Sequence, residues 1–214
     1  KAINQATSGA IVLVAATAAL SGTVADIKAA FNGTVTEHTG TLEITDAGTT
    51  DITATDITSI NTTNTGTITV ANAIDINGSG SEVKAAFDAI DTNTGNATAN
   101  ITGTDYTVAQ LKAINNATTG AIVLATSTNQ ALSGDATDLA AALDGTINYT
   151  GNVTVTDNAY TVTELKTINA GTTGTITLNS AGVALSGTVE NIKAAFAGTV
   201  TTHTGTLEIT DANT

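Results

Sequence analysis

Apolar residues recur along this chain with two alternating periods. Spacings of three and then four link Val24, Ile27 and Phe31, and again Val189, Ile192 and Phe196, while spacings of three link Val108, Leu111 and Ile114, and Val162, Leu165 and Ile168. Such intervals predict short amphipathic helices, each with one buried stripe. Spacings of two link Ile68 with Val70, Val153 with Val155, Ile176 with Leu178, and Leu207 with Ile209, with Thr or Glu between them. These predict strands with one apolar and one polar or small face. Helices are expected at Thr23–Phe31, Ser81–Ile90, Asp135–Leu143 and Thr188–Phe196, with Lys28, Lys84 and Lys193 on their wet flanks. Two more, of about ten residues, start at Thr107 and Thr161. There Gln110 and Glu164 complete the T-x-x-Q/E capping box, which satisfies amide donors lacking a helical partner.

A Ser/Thr-Gly pair stands before every strand-like run, with glycines at 9, 40, 66, 95, 120, 151, 174 and 205. The steps between them read 31, 26, 29, 25, 31, 23 and 31 residues, so two unlike half-units combine into one larger period. Leu20–Gly48 returns as Leu185–Asn213 with five substitutions. Strand-helix alternation with links this long requires parallel neighbours and right-handed crossovers. The expected fold is α/β: a right-handed α/β solenoid of about four repeats of roughly 54–57 residues. Eight strands would stack into one parallel sheet over roughly 35–40 Å. Seven helices and a partial eighth would cover one face.

The expected core joins Leu42, Ile44, Leu207 and Ile209 to the stripes of the first and last helices named above. The strand-leading glycines, and Thr-Thr-Gly at helix ends, are read as sites tolerating positive φ. Connectors such as Asn179–Leu185 leave a further short strand or a hairpin open. Residues 1–214 read as one continuous array that starts and ends inside a repeat. Lys1–Leu13 matches Lys112–Leu124, and Asp211-Ala-Asn-Thr stops in the phase where Asp157-Asn-Ala-Tyr precedes a helix. Each end is then a surface suited to adjacent repeats or to self-association, since one repeat of such an array does not bury a core alone.

Composition narrows the partners. Net charge is −13, with six lysines and no arginine, which argues against nucleic acid and anionic lipid. The most apolar window, Ala10–Leu20, is too short for membrane insertion as a helix. Absence of cysteine fits an extracellular or cell-surface setting.

Catalytic chemistry is thinly represented. The two histidines, His38 and His203, occupy one position in two copies of a repeat, and no P-loop, G-x-S-x-G or H-E-x-x-H is present. The expectation is a protein that is not an enzyme and has no catalytic or cofactor-binding residues. Asp46, Asp157 and Asp211 end their strands at equivalent positions, with Asp105 nearby in the remaining repeat. They are the candidate metal residues, as scattered calcium sites, beside the alternative of turn formers or helix caps. Outward strand positions form Thr-rich rungs, such as Thr41, Glu43 and Thr45 or Asn152, Thr154 and Thr156. They resemble the ladders of ice-binding solenoids, although Glu43, Glu208, Val12 and Val123 interrupt them. Asn-x-Ser/Thr sequons occur at Asn32, Asn61, Asn77, Asn96, Asn100, Asn116, Asn148 and Asn152.

The blocks LSGTVADIKAAF, YTVAQLKAINNATTGAIVL and YTGNVTVTD resemble the Thr/Ala/Gly-rich tandem repeats of giant surface or secreted proteins of marine cyanobacteria and similar bacteria. The resemblance covers the whole chain. It implies an extracellular structural or adhesive role, in a fibre, matrix, surface layer or adhesin stalk, with other surface or matrix components as partners. The alternative is a binding module that uses the Thr-rich face for ice or glycan.

Overall fold

A computed structural model describes residues 1–125 and 130–211. Ala212–Thr214, used above for the phase match at the chain's end, lie outside the described residues. The described chain forms two compact units, Lys1–Ile101 with Ala117–Ala121, and Thr102–Asn116 with the residues from Ile122 onward. It is α/β, built of parallel-strand sheets and, among the described residues, eight helices.

The first unit runs α1 (Ala2–Ala6), β1 (Leu20–Gly22), α2 (Val24–Phe31), β2 (Leu42–Ile44), β3 (Asp51–Thr53), α3 (Ala54–Thr63), β4 (Ile68–Val70), β5 (Asp75–Gly78), α4 (Gly80–Ala89), β6 (Thr92–Asn93) and β7 (Thr98–Ile101). Local chemistry sets the helix starts. The Thr23 hydroxyl accepts from the amide of Asp26, and Ser79 with Glu82 makes a full capping box. The run ATDITSINTT of α3 is rich in β-branched residues, which form helix poorly by themselves. Burial of Ala54, Ile57 and Ile60 holds it in place. One sheet has the order β1-β2-β4-β6, and β3, β5 and β7 pair in a second.

The second unit holds α5 (Val108–Ala117), β8 (Ile122–Leu124), β9 (Leu132–Gly134), α6 (Ala136–Leu143), β10 (Val153–Val155), α7 (Val162–Gly171), β11 (Ile176–Leu178), β12 (Leu185–Gly187), α8 (Val189–Ala195) and β13 (Leu207–Ile209). β9, β10 and β11 form one parallel sheet, and β12 and β13 another. Thr161 and Glu164 close the predicted capping box on α7.

The parallel strands thus fall into several short sheets, where the sequence suggested one sheet of eight. Strands whose glycines are a short step apart do pair, as Leu42 with Ile68 and Val153 with Ile176. Strands a long step apart do not. Ile11 instead bridges Val35, and Ile176 bridges Val200, in the links that precede Gly40 and Gly205. Each long step contains an additional strand that pairs with the Gly-led strand after it: Leu-Ser-Gly in three of them, with Leu20 opposite Leu42 and Leu185 opposite Leu207, and Asp75–Gly78 in the fourth, with Asp75 opposite Thr98. Leu-Ser-Gly reads locally as a lead into a helix cap. Three residues carry too little periodicity to announce a strand, and only the neighbour that completes its hydrogen bonds makes it one.

Two further expectations are corrected. Among described residues, positive-φ glycines are Gly33 and Gly145, and none is a strand-leading glycine. Six of the strand leaders, Gly40, Gly66, Gly95, Gly120, Gly174 and Gly205, are needed for close backbone approach instead. A β-carbon on Gly66 would lie 2.0 Å from the Gly40 carbonyl oxygen, and one on Gly174 would lie 2.1 Å from that of Gly151. Helix ends follow suit, since the C-cap of α7, Thr172, is extended at φ −139°. The core forecast also divides. Leu42 and Ile44 are fully buried, whereas their sequence equivalents Leu207 and Ile209 are 44 % and 60 % exposed, and Val189 is 45 % exposed. β13 has one strand neighbour among the described residues, and β2 has two.

Candidate functional site

The residues that looked most chemical in the sequence serve as ties between neighbouring segments. Asp46 follows β2, and its Oδ2 accepts from the amide of Val24, the first residue of α2, at 2.7 Å. Asp157 accepts from Ala136, the first residue of α6, at 3.3 Å, and Asp211 from Val189, the first residue of α8, at 2.7 Å. Each carboxylate therefore caps a helix that precedes it by a little over twenty residues, where free amides and the helix dipole favour negative charge. The three aspartates are not brought together, and among the described residues no group of three or more His, Asp or Glu side chains gathers. Asp105 is exposed. Asp91 performs a related task that the sequence did not signal, accepting from the amide of Ile68 at 2.8 Å.

Histidine is structural as well. His38 is 1 % exposed, tilted against Phe31 with ring centroids 5.7 Å apart. Its Nε2–H donates to the Ala18 carbonyl at 2.8 Å, and its Nδ1 meets Oδ1 of the buried Asn64 at 2.6 Å. His203 repeats the arrangement with Phe196 at 5.5 Å and the Val183 carbonyl at 2.8 Å. Tyr149 takes the same place in Tyr-Thr-Gly that these residues take in His-Thr-Gly. Its hydroxyl donates at 2.8 Å to a carbonyl, with those of Gln130 and Asn152 both in reach, and accepts from the amide of Leu132. The shared x-Thr-Gly pattern was the available signal for this equivalence.

A second recurring tie is Lys-x-x-Asn on helices. Lys1 pairs with Asp26 and Lys112 with Asp138, while Lys166 donates to Asn191 at 2.8 Å. Three residues on, Asn4, Asn115 and Asn169 donate to carbonyls near the C-terminal ends of the following helices, at Ala29, Ala141 and Ala194. Lys1 holds the Asp26 carboxyl below its ordinary value, and Asp138 raises the Lys112 ammonium. The amide and hydroxyl of Ser79 hold Glu82 low. Burial pushes Glu164 up, but hydrogen bonds from Thr137 and Thr161 outweigh it and leave the carboxyl lowered. Burial raises all three tyrosines, Tyr149 most strongly.

The Thr-rich rungs are half-buried to exposed, and Thr41 and Thr67 touch through their hydroxyls at 3.4 Å. On β3, β5 and β7 an amide ladder replaces threonine: Asn100 donates to Asn77 at 2.6 Å, and Asn77 donates to Asp51 at 3.0 Å. A groove of about 670 Å³ between α2 and α3 is lined in part by Lys28 and Asp56, which pair with each other. No helix among the described residues is long and apolar enough to cross a membrane. No family model matches the chain, and searches of curated proteins and of solved structures give no match either.

Proposed function

We propose that this chain is a non-enzymatic structural repeat protein of the cell exterior, a segment or subunit of a fibre, matrix, surface layer or adhesin stalk. The reading takes the parallel strands and helices as a right-handed α/β solenoid of about four 54–57-residue repeats. One observation carries it: the same inter-segment ties recur at sequence-equivalent positions, as when Asp46, Asp157 and Asp211 each cap a helix from the preceding segment. A catalytic site needs polar groups converging on one unfilled place. Here the aspartates and His38 are engaged one by one with backbone groups of the preceding segment, which is how a quasi-one-dimensional array gains stability from nearest-neighbour contacts. Calcium is not required in this reading, because the aspartates already have amide partners.

The test is electron microscopy of the native material together with protease treatment of intact cells. Elongated particles of constant width that are removed by external protease support the assignment. Compact particles that stay protected inside the cell refute it.

A further inference from the structure

We propose that Asn32-Gly33, in the link that follows α2, is a site of spontaneous covalent modification, where the Gly33 amide closes on the Asn32 side chain and converts it to aspartate and isoaspartate. The inference stands apart from the array reading above, since it concerns chemistry within a single turn.

Cysteine and methionine, the side chains most open to oxidation, are absent from the chain. The reactive pair that remains is Asn-Gly, present twice, at Asn32-Gly33 and Asn77-Gly78. Glycine offers the least hindrance to attack by its own amide, because it has no β-carbon. By sequence the two pairs are alike, and the fold separates them. Asn77 lies within β5, which is paired on both sides. Its Nδ2 donates to Asp51 at 3.0 Å and to the Asp75 carbonyl at 2.9 Å, and its Oδ1 accepts from Asn100 at 2.6 Å. Asn32 is exposed, and among the described residues neither its side chain nor the Gly33 amide has a hydrogen-bond partner. Its φ of −66° and ψ of 137° suit the first central residue of a type II turn, and Gly33 at φ +86° supplies the positive φ required at the second. The peptide plane between them is free to turn, because glycine accepts either sign of φ. Such rotation carries the Gly33 nitrogen over Cγ of Asn32.

An internal precedent shows that a side chain at this place reaches that nitrogen. Phe31-Asn32-Gly33-Thr34-Val35 returns after α6 as Leu143-Asp144-Gly145-Thr146-Ile147. Asp144 is again the C-cap, at φ −70° and ψ 157°, with Gly145 at φ +75°. There the Gly145 amide donates to Oδ1 of Asp144 at 2.9 Å. The carbonyl carbon is one bond from that oxygen, close to the separation of about 3–3.5 Å from which reacting atoms combine. Asp144 and Gly145 are exposed as well, so the openness belongs to the turn and not to the place of α2 in the chain.

In the reaction, water takes the proton of the Gly33 amide and the nitrogen bonds to Cγ of Asn32. The bond from Cγ to the side-chain nitrogen breaks, and that nitrogen leaves with the proton as ammonia. One water then opens the cyclic imide at either carbonyl, giving aspartate at position 32 or isoaspartate, whose main chain runs through the former side chain. Asp144 shows that a carboxylate is accommodated in this turn. Isoaspartate adds a methylene to the main chain between the buried Phe31 and Val35, which bridges Ile11. It also sets a negative charge at the C-terminal end of α2, where the helix dipole disfavours it.

The experiment incubates the full 214-residue chain at neutral pH, folded or in concentrated guanidinium chloride, and localises each change by fragmentation mass spectrometry over time. Conversion is read as the mass gain from exchanging NH2 for OH, and isoaspartate by enzymatic methylation of its carboxyl. In the folded chain Asn32 should convert roughly 100-fold faster than Asn77, whose three hydrogen bonds must open first. In denaturant the two should convert at similar rates. Asn32→Gln, whose longer side chain would have to close a larger ring, should remove the signal at position 32 and leave the circular dichroism spectrum unchanged. An Asn32 that stays intact while the chain is folded, or an Asn77 that converts as fast in the folded chain, would overturn the assignment.

Discussion

Gly66→Ala puts a methyl group where the neighbouring segment's backbone already is. The new carbon would lie 2.0 Å from the Gly40 carbonyl oxygen and 2.6 Å from both the Gly40 carbonyl carbon and the Thr39 oxygen. Carbon and carbonyl oxygen approach to about 3.3 Å at closest in ordinary contacts, so the two backbones must separate by more than about 1 Å. Leu42 donates to the Thr67 carbonyl at 2.8 Å and Thr65 to that of His38 at 2.9 Å, on either side of the clash. Separation on that scale takes both out of hydrogen-bonding range, at about 1 kcal/mol each. Overpacking of a filled interior adds about 1–3 kcal/mol. The expected loss is therefore about 3–5 kcal/mol, a large part of the roughly 5–15 kcal/mol that stabilises a typical domain. Urea unfolding followed by circular dichroism measures it. Gly48→Ala is the control, since its β-carbon meets nothing closer than the Ala73 oxygen at 3.7 Å. That control should be neutral or gain up to about 1 kcal/mol through the unfolded state. If Gly66→Ala unfolds within about 0.5 kcal/mol of the parent, close backbone approach is not what fixes these glycines.

Thr172→Val keeps the shape of a buried side chain but removes the donor to Gly151 and the acceptor for Gly174. A loss of about 1–3 kcal/mol in the same urea experiment is expected, and no change would show that the threonine acts through shape alone. Asp46→Ala leaves the amide of Val24 without its acceptor and should cost about 1–2 kcal/mol. The thermal midpoint of the parent should be the same with calcium or with chelator, and a calcium-dependent rise that Asp46→Ala abolishes would restore the metal reading. Burial raises Tyr149, Tyr160 and Tyr106, so unfolded tyrosines ionise at about pH 10 while the folded ones stay protonated. The unfolded chain then binds fewer protons, and stability falls as pH rises above that value. Tyrosinate absorbance should appear together with loss of circular dichroism, and ionisation at about pH 10 in a chain that stays folded would refute the assigned burial.

Much of this protein was determined by its sequence alone. Intervals of three and four placed the stripe of α2, intervals of three placed those of α5 and α7, and the Thr161–Glu164 pair placed a capping box that the structure contains. These features are legible because a helix turn and its cap are complete within a few neighbouring residues. Seven of the eight glycines stand shortly before a strand and Gly9 before the isolated bridge at Ile11, and alternation fixed which side chains of β4, β10 and β11 face inward. Tertiary structure decided what those elements meet. Whether Leu-Ser-Gly is a strand depends on a partner strand some twenty residues away, as Leu185 depends on Leu207. Asp46 became a helix cap because folding delivers the first amide of α2 to its carboxylate. The glycines reveal the difference most directly. Their identity was visible in the sequence, but its cause is the backbone of another segment lying too close for a β-carbon, and a one-dimensional pattern does not contain that distance.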